Sequence, residues 1–324
     1  MKNKRFFSKM KEKEFKMDVK VKNKIKWKKY VPFYIMALPA CIYFFINNYI
    51  PMSGLILAFE KYTVKGGIYG SEKIGLKNFE FLFKSKDAWI ITRNTLLYNI
   101  AFLVLLPIIS IIIAYVLYEM KAKVSKKIYQ TLILFPNLLS IIIISYLANA
   151  LLAGDTGFIN NHILAPLGLE SISFYTETKY WPFILIFIHI WQMMGTSCIL
   201  YLANMAAINP GLYEAASLDG ANRWKRFKNI TLPGLTPTII TTTILAVGKI
   251  FNSDFGLFYQ VPMNSGALID ITQTIDTFVY RGLMNTANMG MSAAAGFYQS
   301  VVGFVLVMIT NAIIRKVSKE DAIF

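Results

Sequence analysis

The sequence predicts an all-α, polytopic membrane protein with six transmembrane helices, and three observations carry that prediction. The 324 residues are 55% hydrophobic with a mean hydropathy of +0.47, a level few soluble proteins reach. The apolar residues come in long blocks, and several blocks reach the roughly 20 residues a helix needs to cross a bilayer. The polar segments between blocks also alternate in character, with the more basic ones falling on every second loop. One membrane domain accounts for residues 30–324, preceded by a basic segment at 1–29.

In chain order, residues 1–29 hold 13 lysine and arginine side chains against Glu12, Glu14 and Asp18. Such a segment stays in the cytoplasm, on the membrane surface or disordered. No small-residue cleavage site follows the first apolar run, so a removed signal peptide is not expected. The first span is placed at about 31–57 and is long enough to tilt. Residues 58–92 read as an outside loop, with Phe79, Phe81, Leu82 and Phe83 making an interfacial helix. The second span is about 95–117 and the third about 129–152, interrupted near its inner end by Pro136 and Asn137. The fourth is about 181–205, the fifth runs from Pro237 to about Phe251, and the sixth is about 293–314. Six spans put both termini in the cytoplasm, and each inside loop is more basic than the outside loops near it.

The net charge of +16 raises the question of nucleic acid. Its concentration before Tyr30 and in short loops points instead to anionic lipid, so no nucleic-acid partner is expected. Cys41 and Cys198 lie in apolar blocks and read as separate buried thiols. His162 and His189 are isolated, no metal-ligand spacing appears, and no GxxxxGK[ST] phosphate loop is present. If ATP drives this protein, another chain binds it.

Polar side chains inside a span are costly and usually face a cavity or a packed interior. Asn149 and Thr196 read best as helix-packing residues. Gln192, Lys249, Asn252 and Asp254 are candidates for a polar pathway through the membrane, with Arg281 adding positive charge near its mouth. The competing reading of Lys249 is an internal pair with Asp254, or a side chain that snorkels to the interface. Gly195 and Gly248 lie nearby and allow close backbone approach.

The longest polar interruption in the second half of the chain is Glu214 to Pro237. Asn209-Pro210 reads as an N-cap with proline at the first helical position. A short helix follows to about Leu218, and Asp219-Gly220 breaks it. A second short helix is expected from about Ala221 to Ile230, stopping before Pro233. Glu214-Ala215-Ala216, Asp219-Gly220-Ala221, Phe227, Ile230, Leu232-Pro233 and Pro237 fill every position of the EAA loop. In this the chain, with its loop at 209–237, resembles the permeases of binding-protein-dependent ABC transporters. Ile275-Asp276-Thr277-Phe278-Val279-Tyr280-Arg281 resembles the stretch before the last span in the subfamily serving complex-saccharide importers of Gram-positive and related bacteria.

The resemblance implies the type I ABC importer permease fold and a set of partners: a second homologous permease subunit, two ATPase subunits, an extracellular substrate-binding protein and an oligosaccharide. It implies that Glu214, Ala215, Ala216, Asp219, Gly220 and Ala221 couple to an ATPase, which binds the ATP and Mg while this chain carries no cofactor. This chain would be the non-enzymatic pore subunit, in a bacterial cell membrane. A lysine past the middle of the bilayer needs water, a partner or a ligand, so the sequence further leads us to expect an acidic, uronate-bearing saccharide. The alternatives are an importer for peptides or amino acids, against which the 275–281 stretch argues, and a secondary transporter, which needs no EAA loop.

Overall fold

The computed structural model describes residues 27–317. The basic segment expected at 1–29 therefore lies almost wholly outside the described residues, as does the end of the tail. The chain divides into two units, 1–54 and 55–324. In the first, α1 (Trp27–Phe44) continues through a π turn, Phe45–Tyr49, and a single α turn, Ile50–Met52. Its polar residues are satisfied within the helix: the Asn47 and Asn48 amides donate to the carbonyls of Tyr43 and Phe44. That is the least costly arrangement for an amide among lipid-facing residues. The apolar helical run reaches Phe59, close to the predicted first span.

In the second unit a short two-stranded ladder pairs Glu60 with Lys73 and Lys61 with Glu72, a feature the sequence reading did not anticipate. Where an interfacial helix was expected, two helical turns, Lys77–Phe79 and Phe81–Lys84, form instead. Phe79 is buried against Phe59 and Phe297, and Phe81 stacks on Phe278; only Phe83 is left exposed. The aromatic run is a packing element here.

The helices that follow are α2 (Lys86–Glu119), α3 (Lys123–Leu138), α4 (Ile141–Leu152), α5 (Trp181–Ala207), α6 (Pro210–Leu218), α7 (Leu232–Val247), α8 (Phe255–Gln260), α9 (Ile275–Met284) and α10 (Met289–Val317). Among the described residues five helical runs are long and apolar enough to cross a membrane, and α3 with α4 makes a sixth if that bent pair counts as one span. The all-α, six-span prediction stands on that count.

The predicted third span is not straight. It bends by 97°. Pro136 sits in the last turn of α3, Leu139 and Ser140 adopt extended angles, and Ser140 Oγ caps α4 by accepting from Ile143 N. A proline and a fresh N-cap four residues apart give a helix every reason to stop and restart.

The predicted stop before Pro233 is overturned. Helix runs without a break from Arg223 to Val247, so residues 232–237 of the expected loop belong to the fifth span. A π turn at Phe227–Thr231 makes this possible. There the Leu232 N–H reaches back to the Phe227 carbonyl, which widens the helix just where Pro233 brings its ring and lacks a donor.

Within this unit α5 is the central helix, packed against α2 along its length and against α3. One apolar cluster joins Tyr98 and Phe102 of α2 to Trp181, Leu185 and Ile188 of α5 and to Leu257 and Phe258 of α8. A second, at the EAA end, joins Ile111, Ala114 and Leu117 to Cys198, Tyr201, Met205 and Leu235. Cys198 is buried as expected, whereas Cys41 is exposed, and both are free thiols.

Only 28% of the most apolar window of α2 and 33% of that of α5 is buried, so most of each surface is left for lipid or another subunit. Lipid is as apolar as leucine, so burial alone does not hold such helices together; close packing and hydrogen bonds do. Gly195 supplies the close packing. A Cβ there would overlap the Ile133 carbonyl of α3. Gly248, by contrast, meets only carbonyls of the preceding turn. Gly195→Val should therefore force α3 off α5, costing about 2 kcal/mol as overpacking does. The expected result is a lower melting temperature in detergent with normal membrane insertion, and an unchanged melting temperature would count against the contact.

Candidate functional site

Two regions hold most of the predicted site residues. The first is a cavity of about 530 Å³ walled by α2, α5 and α7 and by the turn that follows α7. Apolar surface comes from Phe102, Leu106 and Ala246, and polar groups from Asn99, His189, Ser197, Tyr201, Thr242, Lys249, Asn252 and Asp254. A largely apolar wall with a few convergent polar groups is what small-molecule sites share.

Lys249, Asn252 and Asp254 meet here, although not by helical spacing. α7 ends at Val247, and successive turns close through Lys249 N to Ala246 O and Asn252 N to Lys249 O. The Lys249–Asp254 pair of the competing reading does not form. Asp254 caps α8, its Oδ1 accepting from Leu257 N at 3.1 Å. Among the described residues Lys249 has no ion pair and no hydrogen bond through its ammonium group, and it is exposed toward the cavity.

A hydrogen-bond network that sequence reasoning missed holds this turn from three sides. Asn99 of α2 donates to the carbonyls of Ile250 and Asn252, both at 3.0 Å. Asp276 at the start of α9 accepts from the Ser253 amide and hydroxyl at 2.6 and 2.7 Å. Gln299 of α10 donates to Phe251 O at 2.8 Å and to Asn252 Oδ1 at 3.1 Å. His189 stacks on Phe102 in the wall, ring centroids 3.7 Å apart. The rule that drew attention to Lys249, a polar residue within an apolar run, applies equally to Asn99, His189 and Gln299 and was the signal for them.

Two predicted pathway residues lie elsewhere. Gln192 is buried at the α3–α4 break, its Nε2 3.5 Å from the Leu139 carbonyl, so it faces the bend and not the cavity. Arg281 does not line the cavity either. It is buried beside the strained turn formed by Met263 and Asn264, both with positive φ. Its Nε donates to Asn264 Oδ1 at 3.0 Å and its guanidinium lies over the Tyr259 ring. Burial lowers its pKa from the usual arginine value. Asn149 and Thr196 are absent from the cavity lining as well.

The second region is the EAA loop. Asn209 Oδ1 accepts from Gly211 N at 2.9 Å, and Pro210 opens α6, as the sequence indicates. α6 closes with Gly220 at φ 73°, while Gly220 N bonds Ser217 O and Ala221 N bonds Ala216 O. That is the paired-bond helix stop that glycine permits. Asn222 Oδ1 then caps the next helix through Lys225 N.

Tyr213 faces inward, its hydroxyl 3.0 Å from Thr231 Oγ1, while Glu214 and Ala215 face out and Ala216 is half-buried. Among the described residues Glu214 forms no ion pair or hydrogen bond through its side chain. Leu218 is 90% exposed and Trp224 67% exposed. This loop thus carries an unpartnered carboxylate and large exposed apolar groups, a composition that protein-binding surfaces share. Leu218 and Trp224 lie between the motif positions, so the motif did not mark them.

These two regions and the membrane-spanning helices define a membrane component of a transport system. The chain belongs to the family of binding-protein-dependent transport system inner membrane components, whose model matches residues 107–319. It is 35% identical over 288 residues to the polygalacturonan/rhamnogalacturonan transport system permease protein YteP of Bacillus subtilis (strain 168), covering 89% of this chain and 88% of that one. It is 33% identical to protein LplB of the same organism over 89% of both chains. The fold matches a chain in the crystal structure of a bacterial alginate ABC transporter in complex with alginate pentasaccharide-bound periplasmic protein. There the TM-score is 0.81 and the identity 32%, over 90% of this chain and 96% of that one.

Proposed function

We propose that this chain is one of two permease subunits of an ATP-driven importer for acidic oligosaccharides. The observation that carries the reading is the unpaired Lys249 ammonium in the cavity between α2, α5 and α7. Similarity to a permease named for polygalacturonan and rhamnogalacturonan, and to one from an importer of the acidic polysaccharide alginate, supports it. A uronate carboxylate would accept from Lys249 in a charge-assisted bond. Asn252 and Ser253 offer sugar hydroxyls a polar edge, and Phe102 offers an apolar face.

In this reading a second homologous permease closes the cavity, an extracellular binding protein delivers the saccharide, and two ATPase subunits hold the ATP and Mg. The EAA loop lies in the cytoplasm, as do both termini, in a bacterial cell membrane. ATP-driven closure of the ATPases moves α6 and turns the cavity outward, and phosphate release resets it. This chain makes and breaks no bond.

Purification from native membranes tests assembly. A second six-span subunit and an ATPase should accompany this chain, and the complex in liposomes should take up trigalacturonate but not a tripeptide. A homo-oligomer that transports without an ATPase would overturn the importer reading, and tripeptide uptake would overturn the saccharide.

A further inference from the structure

α2 touches both functional regions. Partway along it Asn99 holds the turn carrying Lys249 and Asn252, by the two bonds to Ile250 and Asn252 described above. At its C-terminal end the last residue, Glu119, meets the EAA loop. Arg226 Nη2 lies 3.1 Å from Glu119 Oε2, and Arg223 Nε 3.5 Å from the same oxygen. Arg226 Nη1 donates to Ser217 Oγ of α6 at 3.1 Å. The Tyr115 hydroxyl, one turn back in α2, lies 2.8 Å from the Arg223 carbonyl and 3.3 Å from Glu119 Oε1.

One guanidinium thus bridges α6 and α2, and its fork geometry fixes the two at once, as an ammonium could not. The pair is largely withdrawn from solvent, with side-chain exposures of 20% for Arg226 and 17% for Glu119. A pair so placed is screened far less by salt than a surface pair. Glu214, Ser217 and Arg226 also line one shallow groove of about 480 Å³, so the Arg226 end of the bridge shares the surface that presents Glu214. By contrast, Arg223 is mostly exposed and can only assist.

We propose that Glu119 and Arg226 form a latch that makes α2 the connecting rod between the EAA helix and the cavity. From Asn99 to Glu119 the helix spans about 30 Å. Displacement of α6 pulls on Ser217, Arg226 and Glu119, and α2 carries the movement to Asn99 and the Lys249 turn. Arg226 and Glu119 are positioning residues: they touch neither saccharide nor nucleotide. The inference rests on the proposed role of the EAA loop in ATPase coupling.

The test is a double-mutant cycle with Arg226→Met, Glu119→Gln and the double variant, on the complex purified from native membranes and reconstituted with its binding protein and trigalacturonate. Each single variant should keep its ATPase subunits on purification yet move at least about tenfold less trigalacturonate per ATP hydrolysed. The double variant should be no worse than Arg226→Met alone, because either change opens the same latch. Normal trigalacturonate per ATP in Arg226→Met overturns the proposal. So do losses that multiply in the double variant, which would mean two independent contacts. Failure of the coupling reading itself shows separately, as wild-type complex that purifies without any ATPase.

Discussion

Glu214→Ala should abolish coupled transport while leaving the chain in the membrane. Glu214 is presented by a helix fixed at both ends, by the Asn209 cap and by the Gly220 stop. Among the described residues its carboxylate has no bond to lose, so alanine costs their fold nothing; alanine is the better helix former. The loss falls entirely on the docked partner. If Glu214 seats against a basic residue of the ATPase, its removal strands a buried charge, and transport falls by about a hundredfold or more. Gly220→Val reaches the same end by another route. At φ 73° a β-branched residue is strained, the Gly220–Ser217 and Ala221–Ala216 bonds are broken, and the loop after α6 is aimed wrongly. Both variants should insert normally and lose substrate-stimulated ATP hydrolysis in liposomes. Full stimulated hydrolysis in Glu214→Ala would remove that residue from the docking role.

The parts of the fold written in local chemistry are legible in the sequence. The Asn209-Pro210 cap, the glycine stop at 220 and four of the six spans were readable because each depends on neighbours in sequence. Where reading failed, a tertiary or compensating effect intervened. Pro233 does not end its helix, because the π turn at Phe227–Thr231 just before it takes up the ring, and no motif announces a π turn. The 97° bend was half visible: Pro136 was seen as an interruption, but the angle is set by Leu139 and Ser140 taking extended conformations against α5.

The site shows the same division. Lys249, Asn252 and Asp254 were found as polar residues near an apolar run, and they share a cavity. They do so through turns, because the helix ends at Val247. Asn99, Asp276 and Gln299 come from three distant stretches, and only folding brings them onto one turn. Arg281 carried a plausible charge in a plausible place, but its neighbours Asn264 and Tyr259 draw it into the protein. Gln192 similarly serves the bend between α3 and α4.

Lys249→Met separates a binding lysine from a structural one. The substitution keeps the bulk and apolar character of the stem and removes the charge. Lys249 makes no ion pair among the described residues, and Asp254 is already committed to capping α8, so no internal bond is lost. The turn itself stays held by Asn99, Asp276 and Gln299 through backbone groups that methionine leaves alone. A hydrogen bond to a charged group contributes about 1.5–3 kcal/mol, which corresponds to roughly tenfold or more in affinity. Uptake of trigalacturonate by the reconstituted complex should therefore fall about tenfold or more, while any uptake of a neutral trisaccharide such as maltotriose changes less than about twofold. Equal loss for both sugars would make Lys249 a structural residue of the cavity wall. No loss for either would mean the carboxylate is read elsewhere along the path, and the acidic-substrate reading would then rest on similarity to its relatives alone.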